Sequence, residues 1–235
     1  MTISTDRGTL LLVGASRGLG HALAAEFVKK GWHVIGTVRE TDRTDLHDLA
    51  EAHPGQVAIE ALDVTEPSQI AALHDRLADR AIDLLFVNAG TANRNAMETI
   101  AEVPTDEFVH VMLTNTLGVM RAVEGLQDLV PRTGLIGVMS SGQGSIANNT
   151  NGGFEVYRGS KAALNQAMRS FAARHAGDPR AMVLMAPGWI RTALGGPHAP
   201  FSIAETMPQL ADTLLAQRGT PGLRFIDRFG APVPW

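Results

Sequence analysis

Short apolar runs alternate with longer amphipathic stretches along the chain, and this alternation constrains the fold more than any other feature. In the first half, apolar runs of strand length cover residues 9–13, 32–38, 56–62 and 82–88. The stretches between them have helical spacing and cover residues 19–30, 44–52 and 67–78. Uninterrupted apolar strands separated by helices are typical of a parallel sheet covered on both faces. Right-handed crossovers then predict a doubly wound α/β fold.

The second half of the chain continues this pattern with longer helices. We predict one long helix over residues 105–130, ended by Pro131, and another over residues 155–176. A third is predicted over residues 203–217, with an interruption at Pro208. The remaining strands are predicted at residues 134–139, 181–186 and 223–226. The prediction is therefore a single domain, residues 1–235, with a mostly parallel seven-stranded sheet flanked by helices.

Composition excludes several classes of function. The formal net charge of −4 argues against nucleic acid as the main partner, because phosphate binding needs a basic face. The chain has no cysteine, and its eight histidines lack metal-site spacing, so no disulfide and no metal site are expected. Residues 1–7 lack the apolar run of a signal peptide, and no stretch of about 18 apolar residues predicts a membrane span. We expect a cytoplasmic protein with no membrane partner.

A glycine-rich turn joins the first predicted strand to the first predicted helix. It reads Gly14-Ala15-Ser16-Arg17-Gly18-Leu19-Gly20. Glycines there let the backbone approach a ligand, and the free N–H groups of the helix N-terminus face an anion. This position predicts a Rossmann-type dinucleotide site. The alternative is a tight packing turn, because the spacing is Gly-x-x-x-Gly-x-Gly rather than Gly-x-Gly-x-x-Gly.

The end of the second predicted strand indicates which coenzyme is bound. An acidic residue there would bind the ribose hydroxyls of NAD(H), but this chain has Arg39, and Arg17 lies in the glycine turn. Two guanidinium groups could pair with a 2′-phosphate, so we predict NADP(H) over NAD(H). The alternative is that Arg39 is a solvated surface residue for which Asp42 and Asp45 could compete.

Tyr157 and Lys161 stand four residues apart on a predicted helix, so their side chains point the same way. A phenol with the ordinary pKa of about 10 is a poor acid-base catalyst near neutrality. A lysine ammonium beside it favours the phenolate, and we therefore expect Lys161 to lower the pKa of Tyr157. The glycine turn and a serine pair upstream make this pair suggest hydride-transfer chemistry.

With these residues the chain resembles the short-chain dehydrogenase/reductase family along nearly its whole length. The matching pieces occur in family order: the glycine turn, Asp63-Val64, Asn88-Ala89-Gly90, Asn115, Ser140-Ser141, Tyr157 with Lys161, and Pro187-Gly188. Residues 144–153 and 187–192 are similar to a bacterial subgroup that includes C-factor-like signalling proteins.

Three features depart from the family pattern. Val13 stands where the family usually has threonine, and Val87 stands where it has the first asparagine of Asn-Asn-Ala-Gly. Both lost polar groups usually brace the loop against the strand, so the stiffness of the loop is in question while binding is expected to survive. The interval from Ser141 to Tyr157 is also long, at 16 positions.

The resemblance implies a role for each matching residue. Tyr157 would be the general acid, Ser141 would orient the carbonyl oxygen with Ser140 as the alternative, and Asn115 would hold a water that links Lys161 to solvent. Lys161 would also hold the nicotinamide ribose. The implied coenzyme-binding residues are Gly14, Ser16, Arg17, Gly18, Leu19, Gly20, Arg39, Asp63, Val64, Asn88, Ala89, Gly90, Tyr157, Lys161, Pro187, Gly188, Trp189, Ile190 and Thr192.

Residues 193–207 are predicted to form a substrate lid. Its apolar members, which alternatively pack on the core, are Leu194, Phe201, Ile203 and Met207, and they favour an apolar or aromatic carbonyl or alcohol substrate. The expected activity is NADPH-dependent reduction of a ketone or aldehyde, in a homodimer or homotetramer assembled through the helices near 105–130 and 155–176. A regulatory coenzyme-binding protein of the same fold, or a dehydratase or epimerase, are the alternatives.

Overall fold

Seven parallel strands form one sheet in the computed structural model, which describes residues 8–39 and 43–235. The strand order is β3-β2-β1-β4-β5-β6-β7, and every neighbouring pair is parallel. The strands are β1 Thr9–Val13, β2 His33–Val38, β3 Val57–Ala61, β4 Leu84–Val87, β5 Leu135–Met139, β6 Ala181–Ala186 and β7 Gly222–Asp227. The predicted doubly wound fold is confirmed.

The described residues form seven α-helices, and all but α4 pack on the two faces of the sheet. They are α1 Gly18–Lys29, α2 Asp45–Ala52, α3 Pro67–Leu77, α4 Thr105–Met112, α5 Val119–Leu126, α6 Glu155–Arg174 and α7 Ile203–Gln217. One core cluster joins the sheet to α3, α5 and α6, and the other joins it to α1, α2 and α7. Along β1, Leu11 and Val13 belong to the first cluster, while Leu10 and Leu12 belong to the second. Because both faces are buried, the strand reads as an uninterrupted apolar run.

The prediction of one long helix over residues 105–130 is wrong, because the structure divides this region into several pieces. The turn between α4 and α5, Leu113–Gly118, is a π-helix, and the helical run ends at α5, followed by a short 3-10 turn, Gln127–Leu129. A π turn holds one extra residue and leaves a backbone carbonyl without its usual intrahelical partner. Asn115 lies within this turn.

The predicted interruption at Pro208 is also wrong, because α7 runs through it without a break. Proline removes one backbone donor, but two features hold the first turn of the helix in place. Ser202 and Glu205 form a capping box at its N-terminus, and Met207 and Leu210 on either side of the proline are buried in the core.

The chain order reverses between β1 and β4, which neighbour each other in the sheet. In open α/β sheets, ligands bind beyond the carboxyl ends of the strands at such a reversal. The turns after β1, β4, β5 and β6 therefore line one edge, and they carry most of the predicted site residues. No helix within the described ranges combines the length and apolar character needed to cross a membrane.

Candidate active site

The glycine turn after β1 is braced from two directions. The Gly14 amide donates to the Thr37 hydroxyl at 2.9 Å, and the Asn88 side-chain amide donates to the Gly14 carbonyl at 2.8 Å. Thr37 is a buried residue of β2 that no motif in the sequence marks. These two bonds brace the loop in a chain that has Val13 and Val87 where the family has polar residues.

The same turn fits an anionic group of a dinucleotide coenzyme. Gly14 and Gly18 have positive φ angles of 86° and 57°. A Cβ built on Gly20 would lie 2.0 Å from the Gly14 carbonyl oxygen, so only glycine allows this close approach. The N-cap residue Arg17 makes no side-chain capping bond, and the first turn of α1 has no acidic residue. The N-terminal amides and the dipole of α1 therefore favour a phosphate at this turn, beside Ser16 and Leu19.

Arg17 and Arg39 come from the ends of neighbouring strands, because β1 and β2 pair directly. Both residues are exposed, and neither side chain has a hydrogen bond or ion pair with another described residue. The nearby Arg43 differs, because it binds the carboxylates of Asp48 and Glu51. Asp42, the predicted competitor for Arg39, lies outside the described residues. Two cations are thus available near the turn that fits a phosphate.

Helix α6 brings Lys161 close to Tyr157, with the lysine Nζ 5.8 Å from the centre of the phenol ring. Lys161 is only 3% exposed, and its ammonium donates to the Met139 carbonyl at 2.9 Å. Burial lowers the pKa of Lys161 from its usual 10.5 to about 8.

The expectation that the pKa of Tyr157 is lowered is wrong in direction. Burial raises the pKa of the phenol above its usual 10, and a hydrogen bond with Ser141 opposes that rise. The spacing of the tyrosine and lysine showed that they would be neighbours, but it did not show how far the surrounding loops would bury the phenol. The phenol therefore carries its proton at neutral pH.

The two serines after β5 have different surroundings. Ser140 is buried, and its hydroxyl donates to the Asn165 side-chain oxygen at 2.5 Å. Ser141 is partly exposed, bonds Tyr157, and accepts from the Gln143 amide at 3.1 Å. Ser141 is thus the serine placed beside the phenol, while Ser140 holds α6 against the end of β5.

Asn115 is fully buried and is bound by neighbouring segments rather than by its own helix. Its side-chain oxygen accepts from the Thr91 amide at 2.7 Å, and its amide donates to the Thr91 carbonyl at 2.8 Å and to the Ser160 hydroxyl at 2.9 Å. A Cβ built on Gly90 would lie 3.4 Å from the Asn115 oxygen and 3.5 Å from the Lys161 Nζ. The structure therefore gathers Asn115, Gly90 and Lys161 at the end of β4. Thr91 and Ser160 were not recognised in the sequence.

The other predicted coenzyme residues lie at the same edge of the sheet. The Asp63 carboxylate accepts from the Thr65 amide and hydroxyl, and Val64 is buried against Gly118 of the π turn. The Asn88 and Ala89 amides both donate to the Val13 carbonyl. The loop after β4 is thus held against the end of β1, where the glycine turn begins, and the loop after β3 packs on the π turn.

The predicted lid divides into a loop and a helix. Ile190 is buried and pairs with Phe201, so these two residues close the base of the loop. Within the loop, the Thr192 hydroxyl accepts from the Gly195 amide, and the Arg191 guanidinium donates to the carbonyls of Ala199 and Pro200.

The helical part of the predicted lid belongs to α7, where Met207 packs in the core and Ile203 packs against it. In the loop, Leu194 is 55% exposed, as is Trp189, whose indole N–H donates to the Gly195 carbonyl. Within the described ranges, no group of three or more histidine, cysteine or acidic side chains could hold a metal ion.

Burial of the Lys161 cation predicts a specific pH dependence of stability. The folded pKa of about 8 lies below the usual 10.5, so the unfolded chain binds more protons between these pH values and stability rises with pH there. We compare the free energy of unfolding of wild type with that of Lys161→Met, both without coenzyme. From pH 7 to pH 10.5, wild type should gain on the order of 3 kcal/mol relative to the variant. Urea unfolding at both pH values measures it. A difference that does not change with pH would contradict burial of the charge.

The sequence matches one family model and is similar to several known proteins. The family model described as enoyl-(acyl carrier protein) reductase matches residues 14–218. The C-signal protein of Myxococcus xanthus is 30% identical over 66% of this chain and 93% of its own length. The NADPH-dependent pterin aldehyde reductase of Arabidopsis thaliana is 34% identical over 79% of this chain and 76% of its own.

Solved structures agree with these relatives. A short-chain dehydrogenase/reductase of Burkholderia multivorans with bound NADP is 63% identical, with a TM-score of 0.96 over 98% of this chain and 100% of its own. A carbonyl reductase of Pseudomonas aeruginosa PAO1 in complex with NADP is 32% identical, with a TM-score of 0.90 over 98% of this chain and 100% of its own.

Proposed function

This chain belongs to the short-chain dehydrogenase/reductase family, and on that premise we propose that it reduces a ketone or aldehyde to an alcohol, reversibly, with NADPH. The observation that carries the proposal is the grouping of Ser141, Tyr157 and Lys161 at the sheet edge that also carries the glycine turn. Tyr157 could thus act as an acid and Ser141 could polarise a carbonyl oxygen, at an edge of the sheet that fits a dinucleotide. The carbonyl reductase with bound NADP and the NADPH-dependent aldehyde reductase among the relatives support the same class of reaction.

The described residues would hold the coenzyme at the carboxyl edge of the sheet and act on the substrate oxygen there. When bound, the coenzyme supplies the hydride to the carbonyl carbon. Ser141 would donate a hydrogen bond to the carbonyl oxygen, and Tyr157 would transfer its phenolic proton to the alkoxide that forms. The phenol is protonated at neutral pH, so it holds the proton that the alkoxide would take.

Lys161 and Asn115 would help to return a proton to Tyr157 after each reduction. The buried ammonium would hold the nicotinamide ribose hydroxyls and stabilise the Tyr157 phenolate after proton transfer. Asn115 would hold a water linking Lys161 to solvent. Because both hydrogens of its amide are bonded to Thr91 and Ser160, that water would bind the remaining lone pair or a backbone carbonyl of the π turn.

Preference for NADP(H) over NAD(H) is part of the proposal. It is supported by Arg17 and Arg39, which are exposed and have no partner among the described residues. A 2′-phosphate would give both guanidinium groups a bidentate acceptor.

The proposed substrate is an apolar or aromatic carbonyl compound. Leu194 and Trp189 present exposed apolar surface at the loop after β6, where such a compound would enter. No lysine or arginine lies between Ala193 and Met207, so this part of the lid offers no cation to a strongly anionic substrate.

Assembly as a homodimer or homotetramer in the cytoplasm is also proposed. Val109 of α4 and Leu117 of the π turn are exposed apolar residues on the helical run that we expect to form the interface. Light scattering at micromolar concentration should give a mass of two or four chains. A monomer would contradict the assembly.

The experiment that tests the function is NADPH oxidation followed by absorbance across aldehydes, aryl ketones, diketones and cyclic ketones, with NADH in parallel. We expect turnover of at least one apolar carbonyl with NADPH preferred. Tight NADPH binding without turnover of any compound would instead favour a regulatory coenzyme-binding protein, the alternative that the similarity to the C-signal protein supports.

A further inference from the structure

Arg228, directly after β7, is a buried cation that the proposed chemistry does not use. It is 9% exposed, and no carboxylate within residues 8–39 and 43–235 forms an ion pair with it. Burying a guanidinium without an anionic partner is costly, so the other contacts of the side chain must compensate. Those contacts all lie at the edge of the sheet that carries the candidate active site.

The guanidinium joins three segments of the site. It donates to the Pro187 carbonyl at 3.2 Å and to the Gln209 side-chain oxygen on α7 at 3.1 Å. Its carbon lies 4.0 Å from the centre of the Phe201 ring and 4.4 Å from that of Phe229. A Cβ built on Gly188 would lie 2.5 Å from the guanidinium, which shows how closely the loop after β6 packs on it.

In this position Arg228 contacts both ends of the lid loop. One end is the Pro187–Ile190 segment, which the family resemblance places among the coenzyme-binding residues, and the other end is Phe201. The backbone of the two ends pairs through Ile190 and Phe201, and Ile190 shares an apolar cluster with residues of α7 and β7. Arg228 adds polar and stacking contacts between these elements and both ends, with one planar group that offers several donors.

We propose that Arg228 is a positioning residue that holds the Pro187–Gly188 loop and Phe201 as one unit, so that coenzyme affinity and the order of the lid depend on it. The inference rests on the proposed function, because it takes this loop to bind the coenzyme. It goes further by naming the side chain that holds the Pro187–Gly188 loop in a fixed position relative to the lid.

The chain offers a matched control in Arg180. This residue is also 9% exposed, but it precedes β6 at the opposite edge of the sheet, where it pairs with Asp178 and donates to the Gln127 carbonyl. Replacing either arginine by methionine removes a buried guanidinium of equal exposure. Only Arg228→Met should affect the candidate site.

The first measurement is NADPH affinity by fluorescence titration without substrate, at a temperature where circular dichroism shows every variant to be folded. We expect Arg228→Met to raise the Kd about tenfold or more, because hydrogen bonds of a charged donor are lost from the loop. Arg180→Met should keep the wild-type Kd within about twofold. Arg228→Lys should lie between, since lysine keeps the charge and one donor but not the planar fork. Wild-type affinity in Arg228→Met would overturn the assignment.

The second measurement does not depend on the coenzyme. Trypsin cleaves after Arg191, at the start of the lid loop, and mass spectrometry identifies the fragment that ends there. Cleavage should be about tenfold faster in Arg228→Met than in Arg180→Met, because the open population of the loop increases. If wild type fails to bind NADPH, the proposed function is wrong, and proteolysis alone decides: faster cleavage supports the role of Arg228, and equal cleavage overturns it.

Discussion

Replacing Tyr157 with phenylalanine should lower turnover roughly 10²- to 10⁴-fold, the range that a positioned general acid contributes. The substitution keeps the ring that packs near Lys161 and removes only the hydroxyl that bonds Ser141. The alkoxide that forms during reduction would then have no nearby phenolic proton. The measurement is the single-turnover rate of NADPH oxidation with the best carbonyl substrate from the panel.

The control for this prediction is coenzyme binding by the same variant. Phenylalanine should leave the Kd for NADPH within about threefold of wild type, because the phenolic hydroxyl contributes to the chemical step rather than to the phosphate contacts. Ser141→Ala should lower turnover less than Tyr157→Phe, since it removes an orienting hydrogen bond but not the proton donor. Near-normal turnover in Tyr157→Phe would rule out Tyr157 as the acid.

The fold could be predicted from the sequence because the central strands are buried on both faces. β6 was predicted at its observed boundaries, 181–186, since all six of its residues are apolar and buried. The π turn could not be predicted in this way. Its extra residue depends on partners far along the chain, such as Thr91 and Ser160, which bind Asn115. Local periodicity contains no record of such contacts.

The candidate site shows the same limit. Spacing along α6 predicts that Tyr157 and Lys161 are neighbours, and the structure places them together. The direction of the Tyr157 pKa shift depends instead on burial, which is set by the packing of several loops. Arg228 was missed for a related reason. It has no motif, and its contacts with Pro187 and Phe201 exist only because β7 lies beside β6 in the sheet.

The double variant Arg17→Ala/Arg39→Ala should abolish the preference for NADPH. Each charge-assisted contact with a phosphate is worth about 1.5–3 kcal/mol, so loss of both should raise the KM for NADPH by roughly 10²-fold or more. The KM for NADH should change by less than about threefold, because NADH has no 2′-phosphate for these arginines to bind. Steady-state kinetics with both coenzymes and one fixed carbonyl substrate measures the ratio.

Arg43→Ala is the matched control for this prediction. Arg43 is also an exposed arginine near the end of β2, but its guanidinium is bound by Asp48 and Glu51, whereas Arg17 and Arg39 have no partner among the described residues. If these arginines acted only through their positive charge, replacing any of the three would weaken NADPH binding. Added salt would then reduce that weakening to the same extent at each position. Specific phosphate recognition predicts a loss at Arg17 and Arg39 alone. Coenzyme selectivity unchanged in the double variant, or equally reduced in Arg43→Ala, would show that these two arginines do not recognise the 2′-phosphate.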